Sequence, residues 1–369
     1  MQRTENKEEL ALKSAWNKKD NSKSQSLRVV QEKKTSKGKD GNNSVLDKEL
    51  QLKIHDLMVR SRALEERTIK MYKQNDGYFW IGGPGEEAFN VPLGLLTHKG
   101  QGKDFDYLHL HYRSAAVLVA MGMDPKDALR QMKNTATDPF SGGRNFSNHI
   151  SISKWNVLPI SSPIEVQYQP AIGTGIAQKR HGGKGISIVT GGDAGTAEGD
   201  FASCLVWSTR PNQELPILMI VTNNDWGIST PGHTQHGEKN IADRGKPFGM
   251  KTMVINGNDV EESYQKLQEA MEYIRTERKP VLMEAHVSRL YGHSSASGAN
   301  FHDKEVDPIE EFEKKLIERK ILTQKQIDEI HQKYTDQMRQ MAKEVKQEPM
   351  PDASTIYDYT YHNQKGRYW

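Results

Sequence analysis

The chain of 369 residues has one cysteine, Cys204, which excludes an internal disulfide framework and any zinc site built from several cysteines. Long apolar runs are missing too. A run such as residues 215–221 falls far short of the roughly 20 residues a membrane helix needs, so no membrane partner is expected. Charge of one sign is also scarce. The formal net charge is +3, but the first 45 residues hold 11 Lys and Arg against 6 Asp and Glu, so the rest is almost neutral and gives no argument for nucleic acid. The dinucleotide fingerprint G-x-G-x-x-G, the phosphate loop G-x-x-x-x-G-K-[ST] and the metalloprotease motif H-E-x-x-H do not occur. The N-terminus carries early glutamates and no apolar core, unlike a secretory signal, and is Lys-rich rather than Arg-rich and acid-poor, unlike a transit peptide. With a single cysteine, this points to the cytoplasm.

What is present falls into three stretches. Residues 1–45 are rich in Lys, Ser, Asn and Gln and cannot bury enough apolar surface to offset the entropy of ordering, so disorder is expected there. Within them, residues 10–16 form a short amphipathic piece. Helical spacing begins at Leu46 and continues through Leu50, Ile54, Leu57 and Met58. The centre alternates β-branched apolar runs with helical segments: strands over 184–190, 216–222, 251–255 and 281–285, helices over 201–208 and 260–276. That order predicts an α/β fold with a mostly parallel sheet flanked by helices. Residues 307–347 read as a helical C-terminal part, with Pro308 at a first helical position and a capping box from Thr323 to Gln326. Ile327, Ile330, Tyr334, Met338, Met341 and Val345 mark one apolar face, expected to pack on the domain or a sister subunit. The division is therefore an extension over 1–45, a folded domain over 46–350 and a tail over 351–369.

Chemistry concentrates in residues 184–230. One strand ends at Gly191-Gly192-Asp193 and the next at Asn223-Asn224. In a βαβ unit both ends lie at the carboxyl edge of the sheet, where open α/β sheets bind ligands, so Asp193 and Asn224 converge. A carboxylate, an amide oxygen and a nearby carbonyl are hard oxygen ligands, too few to enclose a cation but suited to magnesium that keeps phosphate and water ligands. The small residues Ala194, Gly195 and Thr196 before a helix let backbone N–H groups approach an anion. Together they describe a magnesium–diphosphate site.

Gly192-Asp193, about thirty residues and then Asn223-Asn224 resembles the motif of thiamine-diphosphate enzymes, and other segments match the α subunits of 2-oxo acid dehydrogenases in the same order. Tyr112 and Arg113 resemble the Tyr-Arg pair that holds the diphosphate. Ser161-Ser162-Pro163-Ile164 is similar to the loop that meets the aminopyrimidine ring, with Ser162 and Ile164 as the contacts. Gly257-Asn258-Asp259-Val260 and Arg289-Leu290-Tyr291-Gly292-His293-Ser294 resemble further α-subunit signatures.

The resemblance implies a thiamine-diphosphate-binding fold and an oxidoreductase that decarboxylates a branched-chain 2-oxo acid or pyruvate, then transfers the acyl group to lipoyl on an acyltransferase core. It implies thiamine diphosphate held by Tyr112, Arg113, Ser162, Ile164, Gly192, Asp193, Ala194, Gly195, Asn224 and His293, and magnesium held by Asp193, Asn224 and the carbonyl of Trp226. His293 is the catalytic candidate, because an imidazole titrates near neutral pH. A β subunit is expected to complete the site in an α2β2 assembly. Acetoin dehydrogenase α subunits share these signatures, and a non-catalytic assembly subunit remains the reading from another class. Residues 77–80 and 164–168 are candidates for the substrate pocket. Ser294, Ser295 and Ser297 read as a solvated loop, although the family sometimes carries a phosphoserine where Ser294 stands. Some positions depart from the pattern: Ala194 for a Gly, Thr222 for an Arg, Val166 for a potassium-binding Thr, Ser297 for an Asp, and the extra acid Asp225.

Overall fold

A computed structural model describes residues 44–356 and 358. Residues 1–43 of the extension read over 1–45, with its amphipathic piece, and most of the tail from 351 lie outside the described residues. Helix α1 (Lys48–Lys73) opens the domain behind Asp47, whose side chain accepts from the Leu50 N–H. Helix α2 (Glu87–Leu96), strand β1 (Tyr107–His109) and helices α3 (Ala115–Ala120) and α4 (Pro125–Lys133) follow. The centre runs through α5 (Tyr168–Arg180), β2 (Ser187–Gly192), α6 (Gly199–Ser208), β3 (Ile217–Asn223) and a two-residue hairpin, β4 (Trp226–Gly227) with β5 (Thr230–Pro231). It closes with β6 (Lys251–Asn256), α7 (Val260–Glu277), β7 (Val281–His286), α8 (Pro308–Glu318) and α9 (Gln324–Val345).

The main sheet has the order β1-β2-β3-β7-β6, and every pair in it is parallel. Side chains alternate between its faces, so the inner strands β2, β3 and β7 feed two cores. Ile188, Leu218, Ile220 and Met283 join the larger one, built with α1, α2, α7, α8 and α9. Val189, Ile217, Met219, Val221 and Leu282 join the smaller one, where Tyr168, Phe201 and Cys204 from α5 and α6 cover the opposite face. Burial on both faces explains the unbroken apolar run of β3. The expected α/β class and mostly parallel sheet are borne out.

The C-terminal helices form as their caps predict. Asp307 caps α8 with Pro308 at its start, and Thr323 and Gln326 close a capping box on α9. Ile327, Tyr334, Met338 and Val345 are buried, and α9 packs on α1 and α4 of its own domain, while Ile330 and Met341 are partly buried beside them. No helix among the described residues is long and apolar enough to cross a membrane.

Candidate active site

Four strands deliver side chains to one carboxyl edge. Behind β1 come His111, Tyr112 and Arg113, anchored where the His111 N–H donates to Thr190 Oγ1 at 2.8 Å. Gly192 at the end of β2 stands in register with Thr222, so Asp193 and Asn224 leave adjacent strands side by side. Asn223 pairs with His286 at the end of β7, and Arg289 and His293 follow that strand. The topology thus gathers residues as far apart as His111 and His293 in the sequence.

Two features of this edge ask for a ligand. Asp193 is buried, and its Oδ2 has no hydrogen-bond partner among the described residues. Burial raises its pKa, and the nearby Asp225 adds to this while backbone N–H groups oppose it. A buried carboxylate oxygen without a donor is costly, so a cation there would relieve it. Arg289 is the second: its Nε and Nη1 are buried without a hydrogen-bond partner among the described residues, and its pKa is lowered by burial first and by Arg113 second. Two guanidinium groups facing one cleft repel each other unless an anion lies between them. An orphaned acceptor and orphaned donors at one edge fit a metal-bound diphosphate.

Arg113 is buried and held from behind. Its Nη1 donates to the Gly82 carbonyl at 2.5 Å and its Nη2 to Nδ1 of His293 at 2.7 Å. Since Nδ1 accepts, the imidazole proton sits on Nε2. Burial, with Arg113 and Arg289, pushes the His293 pKa down to about 3, so the ring is neutral at physiological pH. Tyr112 stands edge-on to His293, with ring centroids 6.2 Å apart, and the Arg113 guanidinium lies over the Tyr112 ring at 5.3 Å.

Beneath Asp193 lies Glu165, expected only as one of the candidate pocket residues over 164–168. It is buried with a left-handed φ of 60°, and its Oε1 accepts from the Gly192 N–H at 3.0 Å. Burial lifts its pKa to about 8. A Cβ on Gly191 or Gly195 would come within 2.1 and 2.0 Å of its carboxyl oxygens, so these glycines make room for Glu165. Gly192 faces open space. Ala194, the departure from Gly, is matched by Gly227, where a Cβ would stand 2.6 Å from that of Ala194.

Asn224 Oδ1 accepts from the Trp226 N–H at 3.2 Å, which fixes the turn that carries the Trp226 carbonyl. Asp225 is exposed with φ 65°, and Thr222 Oγ1 donates to the Gly191 carbonyl at 3.3 Å. Ser162 is exposed and bonded to His149, and Ile164 is 54% exposed.

Two sequence readings need correction. Trp80 and Tyr168, expected among pocket residues, are fully buried, with Trp80 Nε1 donating to Glu65 at 2.8 Å and Tyr168 Oη to the Ile220 carbonyl at 3.0 Å, so they belong to the core. The loop read as solvated is tied down: Ser294 and Ser295 are buried, Ser294 and Ser297 form a capping box, and Ser295 Oγ accepts from the Trp80 N–H at 3.0 Å.

Residues 55–354 match the family model of the dehydrogenase E1 component. The chain belongs to this family. It is 29% identical to the 2-oxoisovalerate dehydrogenase subunit alpha of Bacillus subtilis, over 82% of this chain and 93% of that protein. It is also 29% identical to the mitochondrial 2-oxoisovalerate dehydrogenase subunit alpha of Dictyostelium discoideum, over 71% of this chain and 58% of that protein. To the pyruvate dehydrogenase E1 component subunit alpha of Rickettsia bellii it is 25% identical, over 85% of this chain and 96% of that protein. The expected family is therefore borne out. For an E1 chain, thiamine diphosphate is the cofactor that membership implies, and a β subunit and an acyltransferase core are the general partners.

Proposed function

We propose that this E1 chain is the α subunit of a 2-oxo acid dehydrogenase that acts on a branched-chain 2-oxo acid or pyruvate and passes the acyl group to a lipoyl carrier. When bound, thiamine diphosphate supplies the electron sink that decarboxylation requires. The chain's own residues supply placement. Asp193, Asn224 and the carbonyl of Trp226 would hold magnesium, whose remaining positions suit phosphate and water. Backbone N–H groups at Ala194 and Gly195, with Tyr112, Arg113 and Arg289, would bind the diphosphate, and Gly192, which has no side chain, would let it approach. The Arg113 guanidinium is fixed from behind at Gly82 and His293, so little side-chain entropy is lost on binding. His293, kept neutral by burial and two guanidinium groups, offers its Nε2–H as a donor at the site. Ser162 and Ile164, both exposed, would meet the aminopyrimidine ring together with a β subunit in an α2β2 assembly. The single, buried Cys204 suits a reducing compartment such as the cytoplasm.

The observation that carries this reading is the buried Oδ2 of Asp193 without a donor, next to the unpartnered Nε and Nη1 of Arg289. Calorimetry of the chain co-expressed with a β subunit tests it. Binding of thiamine diphosphate is expected to need magnesium, and Asp193→Ala and Asn224→Ala are each expected to abolish it. Binding unchanged in both variants would overturn the metal site. Turnover of a 2-oxo acid series and of acetoin with an artificial electron acceptor then assigns the substrate. Acetoin alone as substrate would replace the 2-oxo acid reading, and no turnover despite bound cofactor would favour a subunit for assembly.

A further inference from the structure

Away from the sheet edge, three helices distant in sequence bring two imidazoles and a carboxylate together. His55 comes from α1, Glu313 from α8 and His331 from α9. Nε2 of His55 lies 2.8 Å from Oε1 of Glu313, and Nε2 of His331 lies 2.7 Å from the same oxygen. The three candidate ligand atoms all fall within 4.8 Å of one another. We propose that His55, Glu313 and His331 form a binding site for a zinc-class divalent ion, with water completing its coordination.

Two imidazole nitrogens and one carboxylate are the donor set of three-ligand zinc centres, which prefer nitrogen over the hard oxygens that suit magnesium. With metal bonds of about 2.0–2.1 Å, tetrahedral ligand atoms stand roughly 3.3 Å apart. Each nitrogen–oxygen separation here must therefore open by about half an ångström, which a small side-chain rotation supplies. The cluster has one closed and one open side. The His55 side chain is 1% exposed and fixed in the core, Glu313 is 13% exposed, and His331 is 42% exposed, so an ion can enter past His331 and keep its water there.

Nothing in the surroundings pre-empts the site. Without an ion, Glu313 holds the His55 proton on Nε2; Nδ1 has no hydrogen-bond partner among the described residues, so no neighbour blocks transfer of that proton to Nδ1, which would leave the Nε2 lone pair for a metal. Arg62 is the cation near His331, but its guanidinium is already taken by Glu87 and Asp307, while Glu66 adds negative field. Two imidazoles donating to one carboxylate account for the same contacts without a metal, so the experiment has to separate the two. A bound ion would cross-link α1, α8 and α9 and stabilise the native state alone.

Cobalt(II) is the probe, added to the full chain with its β partner after chelator treatment, with magnesium and thiamine diphosphate present to fill the other site. Expected are the intense visible bands of four-coordinate cobalt with nitrogen donors, displaced by zinc, and binding weakened at least about tenfold in His331→Ala. Asp193→Ala should leave the bands unchanged, which separates this site from the diphosphate site. Zinc should raise the melting temperature of the wild type and not that of His331→Ala. Should His331→Ala misfold, Glu313→Gln serves as the second variant, since it keeps the shape and removes the charge. Absence of the bands, or equal bands in a folded variant, overturns the site and leaves the hydrogen-bonded cluster.

Discussion

Where α1 meets α2 and α8, all three guanidinium nitrogens of Arg62 are hydrogen-bonded, Nε to Glu87 at 2.6 Å and Nη1 to Asp307 at 2.7 Å. At the carboxyl edge of the sheet, Nε and Nη1 of Arg289 and Oδ2 of Asp193 have no hydrogen-bond partner among the described residues. Both regions bury charge within one domain, yet only one satisfies it. A satisfied buried group holds the fold together, whereas an unsatisfied one costs stability and is kept where a ligand completes it. Glu65 lies between these extremes, since it accepts from Trp80 Nε1 and from Asn148, yet burial still raises its pKa to about 7.

This contrast can be broken by substitution. Asp193→Ala is expected to lower activity of the α–β complex more than about 100-fold, beyond what loss of a metal's outer partners costs, while changing unfolding free energy by less than about 1 kcal/mol. A large loss of stability with cofactor binding intact would erase the distinction. Arg62→Ala should do the reverse. Stranding Glu87 and Asp307 is expected to cost about 3–5 kcal/mol in urea unfolding, with cofactor affinity preserved in the folded fraction.

Glu65 gives a pH signature. Its folded pKa, about 7, lies above its ordinary value, so its neutral form is favoured in the fold. That contribution is complete below the unfolded pKa and disappears as pH rises through about 7. Glu65→Gln should flatten the decline in melting temperature between roughly pH 4.5 and 7, an effect on the order of 3 kcal/mol. A wild type whose melting temperature is level across that window would refute this. The smallest effect is expected at Thr323→Ala, where loss of the capping box on α9 should cost about 1 kcal/mol and leave turnover untouched.

Much of this was readable from spacing, because local signals carry it. Strand β3 starts and ends one residue later than its apolar run suggests, and α7 begins at the residue expected, behind the capping Asp259. The meeting of Asp193 and Asn224 followed from one βαβ unit. Other features had no local signal. Strand β1 has three residues, too few to show alternation, and α2 buries nearly all its residues and contains Pro92, so no amphipathic stripe marks it. Glu165 fell within the candidate pocket stretch 164–168, but its place could not be foreseen, because nothing in the run Ser161-Ser162-Pro163-Ile164-Glu165 announces a left-handed backbone that tucks its carboxyl under Gly191 and Gly195. The exchange between Arg113 and His293 spans 180 positions and exists only after the sheet forms. Arg289 stood inside a recognised signature, but its role shows only once its nitrogens are seen to lack partners.

Cys204 on α6 is fully buried, and burial raises the pKa of its thiol. As the chain's sole cysteine, it makes the native surface silent to thiol reagents. The rate at which such a reagent modifies the protein would therefore time the lifting of α6 from the sheet. A cysteine placed on the exposed face of α9 would carry a single probe, ready for distance measurements against a β subunit.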